Sequence, residues 1–200
     1  MKYESFPTPS GEITIPRPES YKDVAKLIES DLYRIHVGGK LLIIKRILRF
    51  DVLAWFRLCQ IKDFWMPLKE RIYIRAAKKR LIDLPISTKC GFGLYLGHSM
   101  GMVINGTAII GNNVNLGHFL TIGSNRGKAA TIHDGVYLGP SVCVVEDVDI
   151  GYNATVGAGA VVVKSIPENG VAVGCPAKVV HIREKEPWHF FPLPEECKNR

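Results

Sequence analysis

The sequence predicts a mainly β chain, a parallel β-helix preceded by an α-helical N-terminal region. From Leu84 onward, aliphatic residues recur every six positions, glycine often follows them, and charge becomes sparse. Before that point hydrophobic residues keep helical spacing, and no proline occurs between Pro18 and Pro67. A period of six fits neither an α-helix nor simple alternation. It fits a short strand plus a turn, stacked on copies of itself.

Taken in order, residues 1–18 are rich in Pro, Ser and Thr and read as a flexible arm. Residues 19–82 read as a helical domain, with Val24, Leu27, Ile28 and Leu32 on one helix face and Leu42, Ile47 and Leu48 continuing the pattern. Residues 83–180 carry the repeat. Its anchors are Leu84, Cys90, Leu96, Ile104, Ile110, Leu116, Ile122, Ile132, Leu138, Val144, Ile150, Val156, Val162 and Ala172. The breaks are whole insertions: two residues after Leu96, four after Ile122 and four after Val162. A second aliphatic residue recurs at the fifth position, as Val114, Leu120, Val136, Val142 and Val148. The glycine after each anchor is expected to form a tight corner. Residues 181–200 read as an irregular tail whose Trp188, Phe190 and Phe191 pack on the helix or on a neighbouring subunit.

Composition excludes several classes. The most apolar stretch, Leu41 to Cys59, is interrupted by Lys45, Arg46, Arg49, Asp51 and Arg57, which argues against a membrane-spanning helix. The first residues lack the apolar core of a signal peptide. Five cysteines without a CxxC pair read as reduced thiols in a cytoplasmic protein. No GKS or GKT follows the glycines, so a P-loop is excluded, and no nucleic-acid partner is expected. The net charge of +7 is concentrated in residues 1–83, with 17 Lys/Arg against 10 Asp/Glu. That excess reads as a solvated polar face, with contact to an anionic membrane surface through the basic helices, including Lys78, Lys79 and Arg80, as the alternative.

The hexads LGHSMGMV, INGTAI, IGNNVN and LGHFLT, with the closing NGVAVGCPAKVV, resemble the hexapeptide-repeat acyltransferases. Within that family the chain is most similar to serine acetyltransferases and to the acetyltransferases of exopolysaccharide loci, such as that of colanic acid biosynthesis. The resemblance implies a left-handed parallel β-helix with three hexads per coil. It also implies acetyl-CoA as co-substrate, a CoA groove between neighbouring subunits, and a homotrimer or dimer of trimers.

Three hexads plus the two-residue insertion separate Leu96 from Leu116, so these anchors should lie one above the other. His98 and His118, each two residues past its anchor, should then stack about one strand spacing (~4.8 Å) apart. Repulsion between two charged rings so close favours at least one neutral imidazole. By resemblance His98 is the catalytic base, and Asp83, fifteen residues upstream, is the partner carboxylate. His118 binds the acceptor, tunes His98 or caps a turn. The donor contacts fall on Ser124, Asn125, Pro140 and Ala158, with Arg126, Lys164 and Lys178 meeting the CoA phosphates.

The chain departs from serine acetyltransferases at three positions. Gly97 replaces the aspartate before the catalytic histidine, Ala129 a second active-site histidine, and Gly106 an acidic residue. These departures lead to the expectation of a saccharide hydroxyl as acceptor in polysaccharide biosynthesis, with serine as the alternative. A γ-carbonic-anhydrase-like zinc site would need a third histidine, but His133 follows its anchor by only one residue and should point elsewhere, so no metal is expected. A non-catalytic scaffold is the remaining reading.

Overall fold

The computed structural model describes residues 1–35, 39–184 and 191–197. Its body is a left-handed parallel β-helix of three faces, each a ladder of two- to four-residue strands in parallel register. The first face stacks Cys90, Ile110, Ile132 and Ile150. The second stacks Leu96, Leu116, Leu138, Val156 and Ala172. The third stacks Ile104, Ile122, Val144 and Val162. Every anchor is at most 6% exposed. Burying each branched side chain removes apolar surface from water, worth roughly 1.5–3 kcal/mol per residue, so the column of anchors is the main cohesive element.

Two details of the repeat differ from expectation. Ile166 is itself an anchor, 3% exposed and bridged to Ile150. The supposed insertion after Val162 is therefore one shortened hexad followed by one regular hexad. The glycines after the anchors are not the corner-formers. Left-handed φ values fall instead at the third position past the anchor, on Asn113, Phe119, Gly135, Ser141, Asn153 and Gly159 among others. Asparagine and glycine tolerate this region best, and they fill four of these six positions. Gly117 is needed for another reason: a Cβ there would sit 2.5 Å from the backbone carbon of Gly139 on the coil above. Coil-to-coil approach, not turn geometry, requires it.

The segment 1–18 is not a loose arm. It is an antiparallel hairpin of β1 (Lys2–Thr8) and β2 (Gly11–Arg17), in register from Lys2 opposite Arg17 to Thr8 opposite Gly11. In a two-stranded ribbon both strands are edges, where Pro7 and Pro16 are tolerated. Ile13 and Ile15 turn inward, 1% and 4% exposed. The hairpin is fixed to the β-helix by Thr8 Oγ1 at 2.9 Å from His133 Nε2 and by the Ser10 N–H donating to Asp149 at 2.8 Å.

Four helices follow: α1 (Tyr21–Tyr33), α2 (Lys40–Leu48), α3 (Val52–Leu58) and α4 (Met66–Lys79). Ser20 and Asp23 form a reciprocal capping box at the start of α1. The helices are tied to the first coil by a buried ion pair. Arg57 donates to both Asp31 oxygens at 3.0 Å and to the carbonyls of Cys90 and Gly91, while Asp31 accepts the Leu94 N–H at 2.8 Å. At the other end Gly170–Val173 pairs antiparallel with Lys178–Ile182, closing the ladder. Phe191 of the tail stacks on Phe92 with ring centroids 5.9 Å apart; Trp188 and Phe190 lie outside the described residues. All five cysteines are free. Among the described residues no helix is long and apolar enough to cross a membrane.

Gly117→Ala should lower the unfolding free energy in urea by about 1–3 kcal/mol, since the added methyl must push two coils apart. An unchanged unfolding midpoint would show that the coils are not packed as tightly as described.

Candidate active site

The corner that follows the second face gathers the principal functional side chains. His98, His118, Pro140 and Ala158 each lie two residues past stacked anchors, so they form one vertical ladder. The rings of His98 and His118 are 5.0 Å apart between centroids and nearly perpendicular, at 87°. This is the juxtaposition expected from the spacing. The two extra residues after Leu96 are taken up by consecutive left-handed conformations at His98 (φ 57°) and Ser99 (φ 44°), which turn the exposed His98 ring outward. Ser99 closes the turn by donating its N–H and its hydroxyl to the Leu96 carbonyl, at 3.3 and 3.2 Å. His118 is half-buried, packs edge-on against Phe119 at 5.3 Å, and keeps a buried Nδ1 with no hydrogen-bond partner. An unpartnered ring nitrogen beside an exposed imidazole marks a place for a polar ligand.

Asp83 does not pair with His98. No hydrogen bond or ion pair joins them, because Asp83 belongs to the neighbouring third face. Its N–H donates to Met102 O at 2.7 Å and its carbonyl accepts from Ile104 N–H at 2.8 Å, bridging it to Val103. That bridge fixes the Asp83 backbone while its side chain stays exposed on the face adjoining the histidine corner.

The corner beyond the third face has its own ladder. Gly106, Ser124, Glu146 and Lys164 lie two residues past Ile104, Ile122, Val144 and Val162. Glu146, not foreseen from the sequence, organises the SNRGK loop. It accepts the Ser124 hydroxyl at 2.8 Å and the N–H groups of Asn125 and Arg126 at 3.3 Å. The Ser124 hydroxyl, followed by these N–H groups, holds the Glu146 carboxyl below the ordinary glutamate range. A depressed carboxyl binds the loop fully above the ordinary glutamate pKa and releases it only as pH falls through the lowered value. The signal in the sequence was a glutamate one coil above Ser124 in the same repeat position.

The proposed phosphate-binding side chains are exposed. Arg126 is on the loop, Lys164 stands above Glu146, and Lys178 sits opposite Val173, one coil above Gly157. They are therefore distributed over two corners, while Pro140 and Ala158 continue the histidine ladder. His133 is fully buried elsewhere, with Nε2 2.8 Å from Asp149 and the ring centroid 4.5 Å from that of Tyr152. No group of three or more His, Cys, Asp or Glu side chains that could hold a metal exists among the described residues.

The positions that depart from the serine acetyltransferase pattern are closely surrounded. Ala129 is 1% exposed, and a Cβ on Gly97 would meet the Leu116 carbonyl at 3.2 Å. A Cβ on Gly106 would meet Pro85 and Ser87 at 3.3 Å.

No family model matches the chain. Serine acetyltransferase 2 of Arabidopsis thaliana is 35% identical over 109 residues, 52% of this chain and 34% of that protein. Neisseria gonorrhoeae serine acetyltransferase in complex with serine matches with a TM-score of 0.64 and 29% identity, over 78% of this chain and 69% of that one. Soybean serine acetyltransferase complexed with serine matches with a TM-score of 0.57 and 33% identity, over 64% and 56% of the two chains. The chain spans about a third of the length of the curated relatives it matches. The resemblance to hexapeptide-repeat acyltransferases, and to serine acetyltransferases within them, is borne out. The expectation of a saccharide acceptor is corrected: the relatives are serine acetyltransferases, two of them solved with serine, and none points to polysaccharide synthesis.

Glu146→Ala should free the SNRGK loop. Amide exchange at Asn125 and Arg126 should accelerate by about tenfold or more, in keeping with the loss of charge-assisted hydrogen bonds. Unchanged protection at both amides would contradict the assignment of Glu146 as the loop's anchor.

Proposed function

We propose that this chain is an acetyl-CoA-dependent serine O-acetyltransferase that transfers the acetyl group directly, without a covalent enzyme intermediate. The observation that carries the reading is the His98–His118 pair, 5.0 Å apart, on a ladder continued by Pro140 and Ala158. His98 is the exposed member and acts as general base. As it takes the proton from the serine hydroxyl, the oxygen attacks the thioester carbonyl. The tetrahedral intermediate collapses by breaking the C–S bond, and the imidazolium returns its proton to the departing thiolate. The N–H groups of His98 and His118, which donate to no backbone carbonyl among the described residues, are available to the developing oxyanion.

His118 stands beside His98 and offers its unpartnered Nδ1 to the bound substrates. Asp83, whose carboxylate makes no hydrogen bond or ion pair among the described residues, supplies the negative charge for the imidazolium and for the ammonium of serine. Because Gly97, Ala129 and Gly106 cannot make the contacts found at those positions in the family, acceptor recognition rests more heavily on Asp83 here. The small side chains of Pro140 and Ala158 suit close approach of a pantetheine arm. Ser124 and Asn125 border its path, and Arg126, Lys164 and Lys178 face the phosphates. The corner is open to solvent in the single chain, which supports a groove completed by a neighbouring subunit of a homotrimer.

Thiol release from acetyl-CoA should depend on L-serine. His98→Ala should reduce kcat by about 10²–10⁴-fold, the range for removal of a general base. Asp83→Asn should reduce kcat and raise KM for serine together, by about tenfold or more overall. Absence of serine-dependent turnover, or full turnover by His98→Ala, would refute the reading.

A further inference from the structure

We propose that the helical layer carries a docking surface for a membrane containing anionic lipids. The surface consists of the outer face of α2, the α2–α3 junction and the C-terminal end of α4. It is independent of the acetyl-transfer reading.

The first observation is apolar exposure in a line. No residue of α2 is buried. Leu42, Ile43 and Ile47 pack partly against Val24, Ile28, Leu32 and Ala54 below. Leu41, Ile44 and Leu48, at positions i, i+3 and i+7, share the opposite face and are 80, 54 and 71% exposed. Phe50 and Leu81, 57 and 70% exposed, extend this crest. Both adopt left-handed backbone conformations, φ 54° and 57°, which bulky side chains rarely take. Each closes its helix, with the Asp51 N–H bonded back to the Arg46 carbonyl and the Ile82 N–H to the Ala77 carbonyl, and neither large side chain is drawn into the core.

The second observation is charge. Between the two apolar residues lies a cavity of about 580 Å³ whose lining includes Arg49, Arg75, Lys79 and Arg80 and no acidic residue. None of these four cations makes an ion pair among the described residues, although Arg46 beside them is taken by Asp51 at 2.6 Å. Long basic side chains around an exposed apolar crest have the composition of an interfacial membrane site, where apolar groups enter the headgroup region and cations meet lipid phosphates. A two-fold contact of this face with itself is disfavoured, because it would bring four unpaired cations against four others.

The surface adjoins the histidine corner. Met100, two residues past His98, borders the cavity, and the Gly101 N–H donates to the Arg80 carbonyl at 2.9 Å. A docked membrane would therefore lie beside the catalytic turn without covering the Pro140–Ala158 ladder.

Co-sedimentation of the full chain with phosphatidylcholine vesicles, with and without phosphatidylglycerol, tests the proposal. Partitioning onto the phosphatidylglycerol vesicles, weakened by added salt, is expected. The double variant Arg75→Glu/Lys79→Glu should lose about tenfold or more of the partition coefficient, at several-fold per basic residue. Leu48→Glu, on a helix with no buried residue, should lose partitioning while keeping the circular dichroism spectrum of the parent. The proposal is overturned if the folded chain ignores anionic vesicles at low salt or if the double variant binds like the parent. It is equally overturned if Leu48→Glu changes the mass at sedimentation equilibrium and leaves vesicle binding intact, which would assign the face to another copy.

Discussion

The hydrogen-bonded register between successive coils is the constraint on which the rest of this molecule depends. Leu96 lies beside Leu116, Leu116 beside Leu138, and the side chain two places past each is carried to the same corner. A single-residue slip would move every anchor from the interior to the surface and separate the two histidines. The buried column of Leu, Ile and Val sets the energetic cost of such a slip, and the glycines after the anchors permit the approach that makes the register tight. Chemistry at the histidine corner is thus a consequence of packing at the prism's axis.

Other elements hold the ends of this register. Arg57 and Asp31 clamp the helices onto the strand carbonyls just before the histidine turn, in a fully buried bidentate pair with further backbone bonds. Buried ion pairs add little net stability against an apolar substitute, but losing one partner strands a charge, so such a pair enforces one docking geometry. The hairpin does the same on the first face, through His133 and Asp149. The buried His133 therefore has a structural task, while His98 and His118 remain open to substrate.

The six-residue period was legible because buried anchors leave a strict periodic trace, and the period alone carried His98 to His118. Features that depend on contacts rather than period were not. Proline, serine and threonine in residues 1–18 concealed a hairpin, since its strands are both edges and Ile13 and Ile15 are its only aliphatic residues buried in the core. Ile166 was missed because the hexad before it is shortened. Glu146 acts through a loop folded back from the coil below, and its only trace in the sequence is its repeat position one coil above Ser124. Asp83 stands apart from His98 within one chain because it bridges to Val103 on the third face, a placement that a fixed offset in sequence does not reveal. The acceptor was misjudged from absent side chains at Gly97, Gly106 and Ala129, an argument about what is missing rather than about what binds.

The most direct test of the account is a crystal structure of the chain with CoA. It predicts the thiol sulfur beside His98 and His118, the pantetheine arm along Pro140 and Ala158, and the phosphates toward Arg126, Lys164 or Lys178. CoA seated on the corner that holds His133, or its sulfur remote from both exposed imidazoles, would contradict it.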